Sequence, residues 1–591
     1  MATATTTATA ATTATAATAA TAATAATTVQ GSLATKDYKT FHVLDDTYRV
    51  LHTFEGAAQA NHCLVGDTVS VSSEGSISLV QRSYHPVLAG YLELDSKTTY
   101  GRSNRNTPLY LFVPLNTAYP CLIVSSTERD CSRKQVAVVE FLDWPAPSTF
   151  PRGALVKLLG PAGSLAAEEE ALLINACPWK SLTKGLSLMD DDVPSGRKRL
   201  GGHTFHVDPL GCRDVDDVLT FEPTEDPAVT QVYITISDVA SCIEELGAVD
   251  LMAAQMGCTL YRDGEAVRPM LPPFFSELYC SLLPSEPKRG VSLGFRFCQT
   301  TKRVVPDSTS WAETEVVVNK SYAYETFSGE DADRTRIIAG ALDPATDPSD
   351  PHDWIATLMK HYNKAAGALL KGVGVGLLRR HSAPDQERLT KYAQWSEALS
   401  HLAYASAEYC PASDPDTGHW GLGAEAYCHA TSPIRRYADL ANQRILKQLI
   451  KTNRDGLLVS VPYQDLNDRM KVAKRYERDL TLVRCLLGPG AKRQFEGVVL
   501  DLAEDEGALV LRLWIADWAK TIKCRYRIVE KGADGTYRVG SADETTVHEV
   551  REGAPVRIEC GLNVGSTSRR WKERILVRLA TDGSAATTAC L

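Results

Sequence analysis

No stretch of this 591-residue chain approaches the roughly 20 consecutive apolar residues of a membrane helix, so a membrane-spanning protein is not expected. No CxxC pair occurs among the 15 cysteines, which argues against a zinc ribbon. Scattered cysteines without a secretory signal read as free thiols in a reducing compartment. The expected location is therefore cytoplasmic, with the nucleus as the alternative. Excess positive charge is missing too. The net charge is −9, so any nucleic-acid contact must come from a local basic groove rather than the whole-molecule field. Residues 1–28 are almost pure Ala and Thr, with no positive start, no sustained apolar run and no Arg. That composition excludes a secretory leader and predicts a disordered tail.

What is present is an ordinary globular composition, 44% hydrophobic and 23% charged, long enough for several domains. One stretch organises it. Residues 206–219, HVDPLGCRDVDDVL, hold Asp208, Asp214, Asp216 and Asp217 within ten residues. Carboxylates this close repel, and in a core each needs a positive partner or a proton. A hard divalent cation resolves the conflict. The stretch lacks the DxDxDG rhythm of an EF-hand. Pro209 and Gly211 break regular structure, so a loop leaving a short strand at 205–207 is expected. The alternative is a solvated acidic turn. The apolar strand-like runs at 204–207 and 231–236 on either side disfavour it.

From about residue 34 to 181 the pattern is mostly β, with short runs at 63–71, 108–113, 121–124 and 135–142 that suggest small barrels. A Pro-rich bend around Trp144 follows the last run, and residues 166–173 read as helix. From about 196 to 487 the pattern is mixed. The strand at 232–236 runs into Asp238, a further strand is expected at 314–319, and 353–370 is helical with Trp354, Leu358, Met359 and Tyr362 on one stripe. Residues 377–381, LLRRH, place Arg379, Arg380 and His381 either on a solvated face or along an anion path. A long amphipathic helix at 464–487 closes this unit, and β patterning returns at 495–579.

The second strong stretch is 419–444, HWGLGAEAYCHATSPIRRYADLANQR. Thr431 or Ser432 followed by Pro433 predicts a helix start, with Arg435 and Arg436 in the first turn. Cations there oppose the helix dipole and suit an anionic partner. Alternatively they form a surface pair, or Arg435 pairs with Asp439 four residues on.

Together these stretches resemble the RNase II / RNase R (RNB-domain) exoribonuclease family, nearer to its eukaryotic exosome-type members without the extra N-terminal nuclease domain. The aspartates match the family's DxxxxxDxDD signature, and TSPIRRYAD at 431–439, preceded by HWGLG and Tyr427, matches its other hallmark. Met270, Leu271 and Pro272, then Cys280, Ser281 and Leu282, the LLRRH run with Pro384, and Trp144, Pro145, Pro151, Arg152 and Gly153 add support. The resemblance covers about residues 34–579.

It implies a multidomain α+β chain, in which OB/cold-shock-type β-barrels flank a central mixed α/β RNB catalytic domain. The implied boundaries are a tail at 1–33, barrels at 34–85 and 86–185, the RNB domain at 196–488, a C-terminal OB-type barrel at 491–581 and a loose end at 582–591. It further implies processive 3′-to-5′ hydrolysis of single-stranded RNA to 5′-mononucleotides, dependent on Mg²⁺ (Mn²⁺ as the alternative) and of two-metal type. An RNA-decay complex is the implied setting. Asp208 and Asp217 are implied as principal ligands and Asp214 as a further ligand or a group behind them. Asp216, also in the metal set, matches the aspartate whose loss abolishes cleavage. Arg435 matches the arginine that steadies the scissile phosphate, and Tyr261 the ring that stacks on a terminal base. Arg379, Arg380 and Arg436 join the expected RNA contacts, while His419 and His429 stay outside the catalytic set. Val375 falls where the bacterial member has a second clamping aromatic. Two other readings compete: an RNA-binding regulator that kept the fold and lost catalysis, and a phosphodiesterase acting on something other than RNA.

Overall fold

A computed structural model describes residues 28–580, apart from 83, 180, 181, 183–195, 285, 452–462, 492, 541–545 and 567. The expected loose end at 582–591, and most of the expected tail, lie outside the described residues. The chain divides into two compact units. The first comprises the described part of Met1–His85 with Thr117–Pro120 and Trp144–Ser148; the second holds the remainder.

In the first unit five antiparallel strands pair in the order Val50–Glu55, Thr40–Leu44, Val29–Thr35, Thr68–Val71 and Ile77–Gln81. Phe41 and Val43 alternate inward with period two and are fully buried beside Leu33 and Val69. Two expectations are corrected here. The first strand begins at Val29, inside the stretch read as a tail at 1–33, because its pairing with Thr40–Leu44 and Thr68–Val71 orders it. The strand expected at 63–71 begins only at Thr68; Asp67 ends the preceding turn, where its carboxylate accepts from Leu64 N at 2.7 Å and pairs with Arg82.

The second unit opens with a closed five-stranded barrel: Arg152–Pro161, Leu122–Ser125, Leu109–Pro114, Val87–Leu92 and Gln135–Asp143. The helix Leu165–Ala176 lays Ala167 and Ala171 against Tyr91 and Val136 of this barrel. The central domain is built on a mixed sheet. Its main path runs Lys198–Arg199, Ser310–Val316, Lys288–Cys298, Val229–Ser237, Asp217–Pro223, His203–Asp208 and Lys320–Ala323. The strand expected at 314–319 thus begins and ends earlier.

One face of the sheet presents Phe205, Phe221, Ile234, Phe295 and Phe297 to the helix Pro351–Val373, whose stripe of Trp354, Leu358, Tyr362, Ala366 and Leu370 covers them. Each such large apolar side chain contributes about 1.5–3 kcal/mol relative to exposure. That helix stops at Gly374, which takes the left-handed φ of 69° and caps it. The helices Tyr437–Ile450 and Tyr463–Leu487 pack in a second core with Val239, Leu260, Phe275 and Ile434. Seven further strands, from Gln494–Asp505 to Ile575–Leu579, form the C-terminal sheet around Leu509, Leu511, Leu513 and Ile558.

Candidate active site

The antiparallel pairing of His203–Asp208 with Asp217–Pro223 sets the acidic stretch. Asp208 closes one strand and Asp217 opens the next, so both sit at the same sheet end, with Asp214 and Asp216 on the loop between. Cys212 N bonding Pro209 O at 3.0 Å makes the turn. Ser281 then pins the loop: its Oγ accepts from Val215 N at 3.0 Å and donates to Arg213 O at 2.6 Å. Asp216 is buried at 3% exposure. Its Oδ1 accepts from Ile434 N at 3.0 Å and its Oδ2 from Arg435 Nε at 3.0 Å. One ion pair therefore joins the two stretches singled out in the sequence, 219 residues apart.

The helix expected to start at 431–433 starts instead at Tyr437. Residues 433–436 form a turn in which Arg435 N and Arg436 N both reach Ser432 O. The backbone there pairs outward: Thr259 N donates to Arg435 O and Tyr437 N to Gly257 O, an antiparallel bridge between Cys258 and Arg436 that a helix would forbid. Asp439 accepts from Ser432 N at 2.8 Å and from Arg436, so Asp439 pairs with Arg436 and not with Arg435. Arg435 is left to Asp216, with its side chain 47% exposed. That same bridge brings in the hairpin Leu260–Arg262 and Glu265–Arg268, whose turn uses Asp263 at φ 56° and Gly264 at φ 81°. Arg484 grips Asp263 at 2.5 and 2.8 Å, and Tyr261 donates its hydroxyl to Asp214 Oδ2 at 2.6 Å.

The remaining arginines part company. Arg379, 7% exposed, lies 4.8 Å from the Tyr409 ring, and its Nη1 is buried without a hydrogen-bond partner. Arg380 pairs with Glu408 at 2.6 Å and Asp414 at 3.4 Å. Val375 packs at the edge of the core under the sheet. One residue was missed. Tyr324 follows the strand Lys320–Ala323, whose parallel pairing sets Ala323 beside Asp208. Burial, then the charges of Asp217 and Asp208, push its phenol above the usual range. No local signal marks it, because the pairing that places it spans 115 residues.

Electrostatically the centre is overloaded with negative charge. Burial pushes Asp216 up to about 7 although Arg435 and the Ile434 N–H pull the other way. Burial, followed by Asp208 and Asp216, pushes Asp217 well up. For Arg435 burial alone would lower the pKa, but Asp216 outweighs it and the guanidinium stays firmly charged. Among the described residues no three His, Cys, Asp or Glu side chains converge closely enough to hold a metal as they stand. Asp216 was expected in the metal set, but both its oxygens are engaged by Ile434 and Arg435; Asp214 is turned to Tyr261. Asp208 and Asp217 remain as oxygen donors whose mutual repulsion a hard divalent cation would relieve, and in that respect the donor set fits Mg²⁺.

Comparison with known proteins agrees with this architecture. The RNB domain model matches residues 198–333 and 313–452, and the Dis3-like cold-shock domain 2 model matches 109–177. The human "Exosome complex exonuclease RRP44" is 24% identical over 483 residues, covering 67% of this chain and 49% of the relative. "Ribonuclease R" of Aquifex aeolicus (strain VF5) is 24% identical over 429 residues, 57% of this chain and 60% of the relative. The chain thus spans about half the length of the RRP44 relative. Among solved structures, the apo form of Mycoplasma genitalium RNase R superimposes with a TM-score of 0.66 at 15% identity, over 93% of this chain and 100% of that one. Yeast Ssd1, described as a pseudonuclease, gives 0.65 at 16% identity, over 93% of this chain and 96% of that one. Both hallmark stretches thus meet at one ion pair, and the chain carries an RNB domain matched at 198–333 and 313–452 beside a Dis3-like cold-shock domain at 109–177, and is similar to the RNase R and RRP44 exoribonucleases.

Proposed function

We propose that this protein hydrolyses single-stranded RNA from the 3′ end, releasing 5′-mononucleotides. The observation that carries the reading is the Asp216–Arg435 pair, which unites the acidic loop with the turn after Ser432. Phosphodiester hydrolysis needs an activated water and neutralisation of charge gathering on the phosphoryl oxygens. Arg435 supports the second need, being anchored at Nε by Asp216 and at Nη2 by Ser432 Oγ, 3.2 Å away, while half its side chain faces solvent. Asp208 and Asp217 would hold Mg²⁺, or Mn²⁺ in its place. Bound there, the ion supplies water activation and further charge neutralisation. Tyr261, steadied through Asp214, offers a ring on which a terminal base stacks. Arg379, buried with an unpartnered Nη1, and Arg436 fit contacts to the RNA backbone. Arg380, which also pairs with Glu408 and Asp414, belongs to the same proposed set.

The closed barrel at 87–161 and the C-terminal sheet of the second unit would guide the single strand. A cytoplasmic location and association with an RNA-decay complex complete the proposal; the RRP44 relatives are named for the exosome. Fractionation and co-purification would test these two points, and a membrane-bound or solitary protein would refute them. For the activity itself, end-labelled single-stranded RNA is incubated with Mg²⁺ and either the wild type or Asp216→Asn. Mononucleotides from the wild type alone would support the reading. Tight, salt-sensitive RNA binding without cleavage in Mg²⁺ or Mn²⁺ would favour the RNA-binding regulator, a reading kept in view by the Ssd1 likeness.

A further inference from the structure

The strand His203–Asp208 pairs in parallel with Lys320–Ala323, in a register that sets His206 against Ser321 and Asp208 against Ala323. Residues two apart on a strand share a face, so the His206 ring and the Asp208 carboxylate lie side by side. His206 is 5% exposed. Its Nδ1 lies 2.8 Å from Asp208 Oδ2 and its Nε2 lies 2.7 Å from Ser321 Oγ. An ionised carboxylate can only accept, so Nδ1 carries the proton and donates to Oδ2. Ser321, exposed at the sheet edge, completes the chain at the opposite nitrogen. The ring is thus held at both ends by two adjacent strands, and it occupies one oxygen of Asp208 while leaving Oδ1.

We infer that His206 is a positioning residue: anchored by Ser321, it fixes the orientation of Asp208 and so sets the affinity of the acidic centre for a divalent cation. The inference rests on the reading of Asp208 as a cation ligand. A carboxylate free to rotate must be ordered when the ion binds. One already held by a buried imidazole presents its second oxygen at no such cost. The same order of atoms, hydroxyl to imidazole to carboxylate, would serve a nucleophilic serine. Here, however, the acid is the residue that faces Asp217 across the acidic centre, so the ring is assigned to the carboxylate.

The test uses the full-length chain and Mn²⁺ alone, with binding followed by calorimetry and by electron paramagnetic resonance of the ion. The wild type is compared with Asp208→Asn, His206→Ala, His206→Gln and Ser321→Ala, each checked for folding by circular dichroism. Asp208→Asn should abolish binding. His206→Ala should weaken it about 10–100-fold. His206→Gln, whose amide can donate to Oδ2, should recover part of that loss, and Ser321→Ala should cost less than His206→Ala. If Asp208→Asn binds Mn²⁺ like the wild type, the ligand reading beneath the inference fails. If Asp208→Asn loses the ion while His206→Ala keeps wild-type affinity, the positioning role alone fails. Should His206→Ala not fold, His206→Gln and Ser321→Ala carry the comparison, and wild-type affinity in both would overturn it. Covalent labelling of Ser321 by a fluorophosphonate would also overturn it, because the ring would then serve the hydroxyl.

Discussion

Two aspartates flank strands of the same sheet, Asp238 just after Val229–Ser237 and Asp216 just before Asp217–Pro223, and both are buried, yet their surroundings push them in opposite directions. Asp238, 1% exposed, receives Arg197 at 2.6 Å, Lys447 at 2.7 Å and the Ser241 hydroxyl at 2.7 Å. Burial would raise its pKa, but Lys447 and Arg197 outweigh that and hold the carboxyl below the usual range. Asp216, 3% exposed, has one arginine and one backbone N–H, with other aspartates close by, and it is pushed up to about 7. Asp238 belongs to a finished ion network. Asp216 belongs to a centre still short of positive charge, and shifts of that kind cluster where ligands and reactions are.

The largest expected effects test this contrast directly. Arg435→Ala should lower kcat on single-stranded RNA by about 10²–10³, the scale for losing one group that meets developing charge. Asp216→Asn should abolish cleavage with the melting transition unchanged or higher, since it removes a carboxylate that burial disfavours. Asp238→Ala should do the reverse. Breaking a buried network and stranding Arg197 and Lys447 costs about 3–5 kcal/mol, read as a lowered urea midpoint. If Asp216→Asn destabilises the protein as much as Asp238→Ala does, the two sites are of one kind and the distinction collapses.

A smaller effect separates gripping from cleaving. Tyr261→Ala should weaken RNA binding by about 1–3 kcal/mol, roughly 5- to 150-fold, if its ring stacks on a base. Tyr261→Phe should keep the affinity but release Asp214, whose only aromatic hydroxyl partner in the described structure is Tyr261. Equal affinity for Tyr261→Ala and the wild type in a filter-binding titration would remove the stacking role.

Much of this centre can be read from the chain because its members keep a fixed rhythm. Four aspartates in ten residues and Arg435 after a Thr-Ser-Pro turn are local patterns. Their partners are not. Asp216 meets Arg435 across 219 residues, and Gly257–Thr259 pairs with residues 435–437 where propensity alone would carry the helix on from Pro433. Tyr324 and the Ser321 contact to His206 depend on a parallel strand pairing more than a hundred residues away in sequence. The pairing of Arg380 with Glu408 depends on a shorter-range antiparallel pairing, 28 residues away. Periodicity reports which face a residue occupies; it is silent on which distant element arrives there.

The smallest expected effect concerns pH and extends the comparison to groups that burial keeps neutral. His429 is pushed well below the ordinary histidine range by burial and then by Arg436 and Arg379. Burial, followed by His381, lowers His419 to about 4. In the unfolded chain both rings take up a proton below about pH 6.5, while in the folded protein they resist it. The unfolded state therefore binds more protons on the acid side, and stability falls as pH drops. The contribution is complete above about 6.5 and, for His419, is lost as pH approaches 4. Asp238 has the same sign, but its window lies below the ordinary aspartate value of 3.8, so its contribution is complete near neutrality and adds no slope there. These two rings alone would lower the melting temperature between pH 7 and pH 5; Asp216 and Glu168, each pushed up to about 7, act with the opposite sign, so the histidine slope is read as the difference between the wild type and a variant. His429→Gln, which keeps an acceptor for the Tyr409 hydroxyl now 2.8 Å from Nδ1, should flatten that slope without changing cleavage at pH 7.5. A slope unchanged in this variant would mean that His429 charges as readily in the fold as outside it, and that the cationic surroundings of Arg379 and Arg436 do not reach the ring.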